Sequence, residues 1–254
     1  MVRACGVSDV GRVRRTNEDT FVSDPELCLF AVADGMGGHG AGEVASGLAV
    51  EAVTAFIRRS AEDTDFSWPY GIDRTLSMQG NRLRTAIHLA NRRIFRTAES
   101  NDDYNGMGTT IVGLLVNGPR ISVGHVGDSR LYLLEQGRLE QLTDDDSWAA
   151  TILARDLRLG PADIANHPMR NVLTSALGSR ESVDIHLSER ELTGSACLLL
   201  TSDGLHGSLD AASITAVLTS TPDVEAAARG LVSAALERGS RDNVTALVVR
   251  YDKD

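Results

Sequence analysis

Four apolar runs in this chain each meet an aspartate at one end, and that recurrence constrains the fold more than any other feature. Asp34 closes LCLFAVAD, Asp128 closes RISVGHVGD, Asp203 closes SACLLLTSD, and Asp242 opens DNVTALVV. Runs of this kind read as β-strands. A strand end is rigid, so carboxylates fixed there are brought together from distant parts of the chain and held against their mutual repulsion by cations. Taken singly, each aspartate reads as a turn residue or a helix cap. The weight lies in the set, with Asp34-Gly35 and Asp203-Gly204 both following apolar runs, and the set points to an enzyme with a site for hard metal ions.

With 254 residues, 42% of them hydrophobic, the chain can bury a full core. No internal repeat, low-complexity tract or linker divides it, so one domain spanning 1–254 is expected. No stretch approaches the roughly 18 apolar residues that span a bilayer, and MVRACGVSDVGRVRR lacks an apolar signal core, so a cytoplasmic chain without membrane insertion is expected. A net charge of −10 argues against a nucleic-acid binder, which carries a basic face. Cys5, Cys28 and Cys197 show no paired spacing and read as small buried apolar residues. Asn243-Val244-Thr245 matches a glycosylation acceptor and, without a secretory signal, reads as accidental.

Strands are expected over 3–7, 20–23 and 27–33, followed by a helix on which Ala41, Val44, Ala45, Leu48, Ala49, Ala52, Val53, Phe56 and Ile57 keep the i, i+3, i+4 rhythm. Residues 60–77 read as a loop, and a second helix over 81–98 carries Leu83, Ala86, Ile87, Ala90, Ile94 and Phe95 inward. Strands over 109–116, 120–126 and 130–134 follow, joined by the turn signals Asn117-Gly118 and Gly127-Asp128, which predict an antiparallel sheet. Residues 144–181 are irregular and read as a surface insertion over the sheet ends. Strands return at 183–187 and 196–201, then helices, then a strand over 244–251. Thr221-Pro222 reads as N-cap and first turn of the helix bearing Ala227, Ala228, Leu231, Val232, Ala235 and Leu236.

An oxygen-rich site without Cys or His ligand pairs favours Mg²⁺ or Mn²⁺ over Zn²⁺. Gly35 lets a backbone carbonyl approach an ion beside Asp34, and one aspartate can bridge two ions roughly 3.5–4 Å apart. In GRVRRTNED, the planar fork of Arg14 matches two phosphate oxygens, and Glu18 and Asp19 can order metal-bound waters. Without metals, this segment is simply a charged loop before an edge strand.

GRVRRTNED, VADGMGGHGAGEVAS, MGTTIVGLLV, VGHVGDSRLYLL, HPMRNVLTSALG, LLLTSDGL and RDNVTALVVR follow one another in this chain. Their order and approximate spacing resemble the metal-dependent protein phosphatases, the type 2C serine/threonine class in its bacterial form, from about Gly6 to Val249. The resemblance implies an α+β fold, a four-layer α/β/β/α sandwich of two antiparallel sheets flanked by helices, with a flap over about 144–181. It implies two Mn²⁺ or Mg²⁺ ions: Asp34 bridging both, the Gly35 carbonyl on one, Asp203 and Asp242 on the other. Asp128, with Asp203, resembles a third, weaker metal site. Glu18 and Asp19 would act through metal-bound waters, and Arg14 would hold the substrate phosphate clear of the metals.

The implied reaction is hydrolysis of phosphoserine or phosphothreonine by direct attack of a metal-bridging hydroxide. The implied partners are phosphorylated proteins, substrates of a bacterial serine/threonine kinase, acted on by a monomer. Two positions depart from the family pattern. Eukaryotic members place a histidine after Asp-Gly, where this chain has Met36, leaving His39 as a proton donor or as an ordering element of the glycine loop. The flap opens with Asp145-Asp146-Ser147 instead of Asp-His-Ser. His88 and His125 lie on apolar segments and read as packed or surface residues. Gly35-Met36-Gly37-Gly38-His39-Gly40 fits a dinucleotide fingerprint, but no strand ending in an acid follows at the required distance, and Asp34 would face the pyrophosphate. The remaining alternative is a catalytically inactive phosphatase fold that binds or scaffolds phosphoproteins, disfavoured because Arg14, Asp34, Asp203 and Asp242 are all present.

Overall fold

The computed structural model describes residues 1–38, 40–63, 68–155, 167–169 and 172–253. Period-two alternation along the strands generates its layering. In β3 (Leu29–Met36), Leu29, Ala31 and Ala33 face one apolar cluster while Phe30 and Val32 face another. β10 (Ala196–Thr201) and β11 (Val244–Tyr251) divide the same way: Leu198, Leu200, Leu247 and Val249 point to the shared interior, and Cys197, Leu199, Ala246 and Val248 to an outer cluster. A strand apolar on both faces has to be covered on both. The result is two stacked antiparallel sheets with a helix layer on each outer face.

One sheet runs β2 (Asp19–Asp24), β3, β5 (Ile111–Asn117), β6 (Arg120–Val126), β9 (His186–Glu191), with short β4 (Gly108–Thr109) beside β3. The other runs β1 (Val2–Asp9), β11, β10, β7 (Arg130–Glu135), β8 (Arg138–Gln141). Helices α1 (Ala41–Glu62) and α2 (Met78–Ser100) cover the first sheet through Ala45, Ala49, Val53, Leu83, Ile87 and Ile94. Helices α5 (Ala211–Ser220) and α6 (Val224–Glu237) cover the second through Ile214, Leu218, Ala227, Leu231 and Ala235. Between them in sequence lie α3 (Trp148–Arg155) and the single turn α4 (Asp203–His206). Among the described residues no helix is long and apolar enough to cross a membrane.

Several local expectations change. Asn117-Gly118 joins a true hairpin, β5 to β6, but Gly127-Asp128 does not: β6 and β7 belong to different sheets, so this turn carries the chain across the sandwich. Helix α1 runs on to Glu62, past the expected start of the loop, and α2 starts at Met78 because the Ser77 side chain accepts the Gly80 N–H as an N-cap. The 183–187 strand lies at His186–Glu191, and β8 adds a hairpin partner to β7. The cap of α6 is Asp223, whose carboxylate accepts the Ala226 N–H, while Thr221 closes the preceding helix. Asp223 prevails because an ionised acceptor at a helix N-terminus also meets the helix dipole. Cys197 is buried as expected; Cys5 and Cys28 are only partly so.

Candidate active site

The four aspartates reach one cleft at the edge of the sandwich. Asp34 sits inside β3, directly opposite Asp19 of β2, and its strand continues past it to Met36. Thr110 closes the backbone around it: its hydroxyl accepts the Asp34 N–H at 3.0 Å and its own N–H donates to the Asp34 carbonyl at 2.9 Å. Asp128 stands on the crossing between the sheets, Asp203 opens α4 after β10, and Asp242 lies two residues before β11. These ends coincide because β10 and β11 pair, while β3 and the start of β7 approach from either side. The cleft encloses about 550 Å³ and is lined by Arg14, Glu18, Asp34, Gly35, Met36, Gly37, Thr110, Asp128, Val172, Leu173, Asp203, Asp242 and Asn243.

Gly35 is required by close approach. A Cβ there would lie 2.0 Å from the Gly42 carbonyl oxygen and 2.8 Å from that of Glu18, so only glycine lets the first turn of α1 and the β2 entry close on β3. Its N–H donates to the Glu18 carbonyl at 3.0 Å. This contact brings Glu18 onto the cleft wall.

Five acids and one guanidinium line the cleft, and burial disfavours the ionised form of Glu18, Asp34, Asp128 and Asp203. The Asp34 carboxyl is pushed well above its ordinary range, first by burial and then by the charges of Asp19, Asp203, Asp128 and Asp242. Burial followed by the neighbouring Asp203 and Asp145 charges raises Asp128 to about 7. Asp203 rises to about 6 through burial and Asp242, with Arg14 opposing. Glu18 is raised in the same way. Asp19 lies beneath the cleft, its Oδ2 accepting hydroxyls from Ser202 and Thr245, each at 2.6 Å, and burial lifts it to about 6.

This donor set fits hard divalent ions. It is all oxygen, and two buried carboxylate oxygens, Asp19 Oδ1 and Asp203 Oδ1, have no hydrogen-bond donor among the described residues. Among the described residues no three acid, histidine or cysteine side chains are drawn into a closed cage. An open wall of carboxylates suits ions that keep several waters of their own.

Arg14 lies on the same wall. Its Nη2 donates to Asp242 Oδ2 at 2.6 Å, so the guanidinium does not stand clear of the carboxylates that would bind metal. The negative wall attracts the nearest cation. His39 lies outside the described residues, as do 156–166 and 170–171 of the 144–181 segment. Its described parts return to the site: Val172 and Leu173 line the cleft, and Asp146 exchanges backbone hydrogen bonds with Gly127 and Thr174. Arg130 grips Asp145 with two hydrogen bonds of 2.8 and 2.7 Å. His125 is buried and donates from Nε2 to the Asp144 carbonyl, and His88 stacks on Tyr70. Neither histidine lines the cleft. Sequence reading missed Thr110, Asn243 and the Ser202 and Thr245 hydroxyls as parts of the site. Ser202 and Asn243 had a signal, a hydroxyl or amide next to an aspartate in LLLTSD and DNVT, whereas Thr110 and Thr245 had none.

Comparison with known proteins agrees with this geometry. A family model described as protein phosphatase 2C matches residues 12–238. The serine/threonine protein phosphatase PstP of Mycobacterium tuberculosis is 37% identical over 99% of this chain, which spans 46% of that protein's length. The serine/threonine phosphatase stp of Listeria monocytogenes is 34% identical over 96% of this chain and 94% of its own. Crystal structures of PstP superpose with TM-scores of 0.85 and 0.83, both at 35% identity and over 99% of each chain, and the second is in complex with 2 manganese ions. With the sandwich, the carboxylate wall and these matches in hand, the chain belongs to the protein phosphatase 2C family of metal-dependent phosphoprotein phosphatases.

Proposed function

We propose that this chain hydrolyses phosphoserine and phosphothreonine in proteins, using two Mn²⁺ or Mg²⁺ ions. The observation that carries the reading is one cleft in which Arg14 meets Asp34, Asp203 and Asp242. Asp34, the Gly35 carbonyl, Asp203 and Asp242 would hold the two ions, and Asp128 with Asp203 a third, weaker one. When bound, such ions activate water and neutralise charge on the phosphoryl group. Arg14 binds and orients the phosphate with two parallel N–H groups, which a point charge does not reproduce. Glu18 and Asp19 orient waters, and Val172 and Leu173 give the mouth an apolar side against which a peptide can rest. His39 is assigned either to proton donation or to ordering of the glycine loop, and 144–181 to a flap over the substrate. The partners are phosphoproteins made by a serine/threonine kinase.

The intact cation and carboxylate set favours catalysis over an inactive scaffold. The test is release of phosphate from phosphothreonine and phosphoserine peptides with Mn²⁺, with Mg²⁺ and with excess chelator. Turnover with either ion and none with chelator is expected. Undiminished turnover in chelator, or none at saturating Mn²⁺, refutes the reading.

A further inference from the structure

We infer that Asn243 is a positioning residue that tethers the loop carrying Arg14 and Glu18 to the strand end carrying Asp242, an inference that rests on the phosphatase reading above. The loop joining β1 to β2 is exposed from Arg12 to Thr16, yet it bears the cation of the site. Beneath it, Asn243 is 5% exposed and spends its whole amide on this loop. Its Nδ2 donates to the Val10 carbonyl at 2.9 Å and to the Thr16 carbonyl at 3.0 Å, and its Oδ1 accepts the Glu18 N–H at 2.9 Å. An amide has two donors and one carbonyl acceptor, so all of its bonding groups are engaged. The three bonds bracket residues 10–18, with Arg14 at the middle of the span.

The loop is also seated on the same backbone. Gly11 has φ +79°, and a Cβ there would lie 2.3 Å from the Asp242 carbonyl oxygen. Tether and seat together leave Arg14 with its Nη2 2.6 Å from Asp242 Oδ2. No aliphatic side chain supplies both donors and the acceptor, and water entering a truncated site would satisfy the carbonyls without fixing the loop. Misplacing a phosphate ligand by about 1 Å can cost on the order of 100-fold in rate.

An asparagine that only supports the fold would weaken the enzyme regardless of Arg14, so a double-mutant cycle separates the roles. Wild type, Asn243→Ala, Arg14→Ala and the double variant are compared for kcat and KM on one phosphothreonine peptide at saturating Mn²⁺. Amide exchange of residues 10–18 is measured in the chelated protein. Asn243→Ala is expected to lower kcat/KM by about 10-fold beside Arg14, mainly through KM, and by less than about 2-fold in the Arg14→Ala background. Exchange across 10–18 should quicken while β10 and β11 stay protected. Asn243→Ser serves where Ala fails to fold. Multiplying penalties in the double variant, or unchanged exchange over 10–18, overturns the inference. Absence of metal-dependent turnover in the wild type refutes the phosphatase reading instead, and the exchange result then decides the tether alone.

Discussion

Arg14→Ala should move two measurable quantities in opposite directions. The guanidinium loses its charge-assisted hydrogen bonds to substrate phosphate, worth about 1.5–3 kcal/mol, so kcat/KM should fall by roughly 10- to 150-fold. Arg14 is also the partner of Asp242, and removing it frees a carboxylate for a divalent ion. The side chains of that pair are 50% and 34% exposed, so solvent screens it, and a surface pair of this kind contributes about 0.2–1 kcal/mol. Mn²⁺ should therefore bind about 1.5- to 5-fold more tightly to the variant. Arg14→Lys should recover part of kcat/KM, because a compact ammonium restores charge without the two-pronged contact. Steady-state kinetics on one phosphothreonine peptide and calorimetric Mn²⁺ titration check both arms. Undiminished kcat/KM in the Ala variant would move phosphate recognition elsewhere, with Arg15 the first to test. Weaker Mn²⁺ binding in that variant would show that Arg14 supports the carboxylates rather than competing for Asp242.

Asp34→Asn and Asp242→Asn should each abolish turnover, whereas Asp128→Asn should weaken activation by metal yet leave two ions bound; crystals of the Asp128 variant soaked in Mn²⁺ decide this, and loss of every ion rejects a third site. Stability of the chelated protein should fall as pH rises from about 6.5 through about 7, because Asp128, raised to about 7, binds its proton more tightly folded than unfolded in that window, and the raised Asp34 acts in the same direction. Below it two histidines work the other way: His206 is lowered to about 3 and the buried His125 is also lowered, so their contribution is lost as pH falls. Thermal melts across the window, flat or rising with pH, would contradict the assignment, and Mn²⁺ should restore stability most at the alkaline end. Gly35→Ala should destabilise by about 1–3 kcal/mol or misfold, since its Cβ would meet the Gly42 carbonyl oxygen at 2.0 Å; an unchanged denaturant midpoint argues against the close approach.

The sequence by itself determined the parts and their chemistry. The unbroken apolar runs LFAVA and CLLLT mark buried strands, the Ala45, Ala49 and Val53 rhythm marks a helix, and an all-oxygen donor set marks hard ions; each is a property of neighbouring residues. The family's order of motifs supplied the four layers. Tertiary structure alone decided what depends on pairing across the chain. Gly127-Asp128 has the same local preference whether it closes a hairpin or crosses between sheets, and only the pairing of β7 with β10 shows that it crosses, which carries Asp128 to the cleft. Asp19 looks like any exposed acid beside Glu18 until Ser202 and Thr245, 183 and 226 residues away, fold over it. Arg14 finds Asp242 across 228 residues, and Asn243 finds the loop that carries it. Local propensity is a sum over nearby residues, while a site of this kind is a set of contacts that exists only once the sheets have closed.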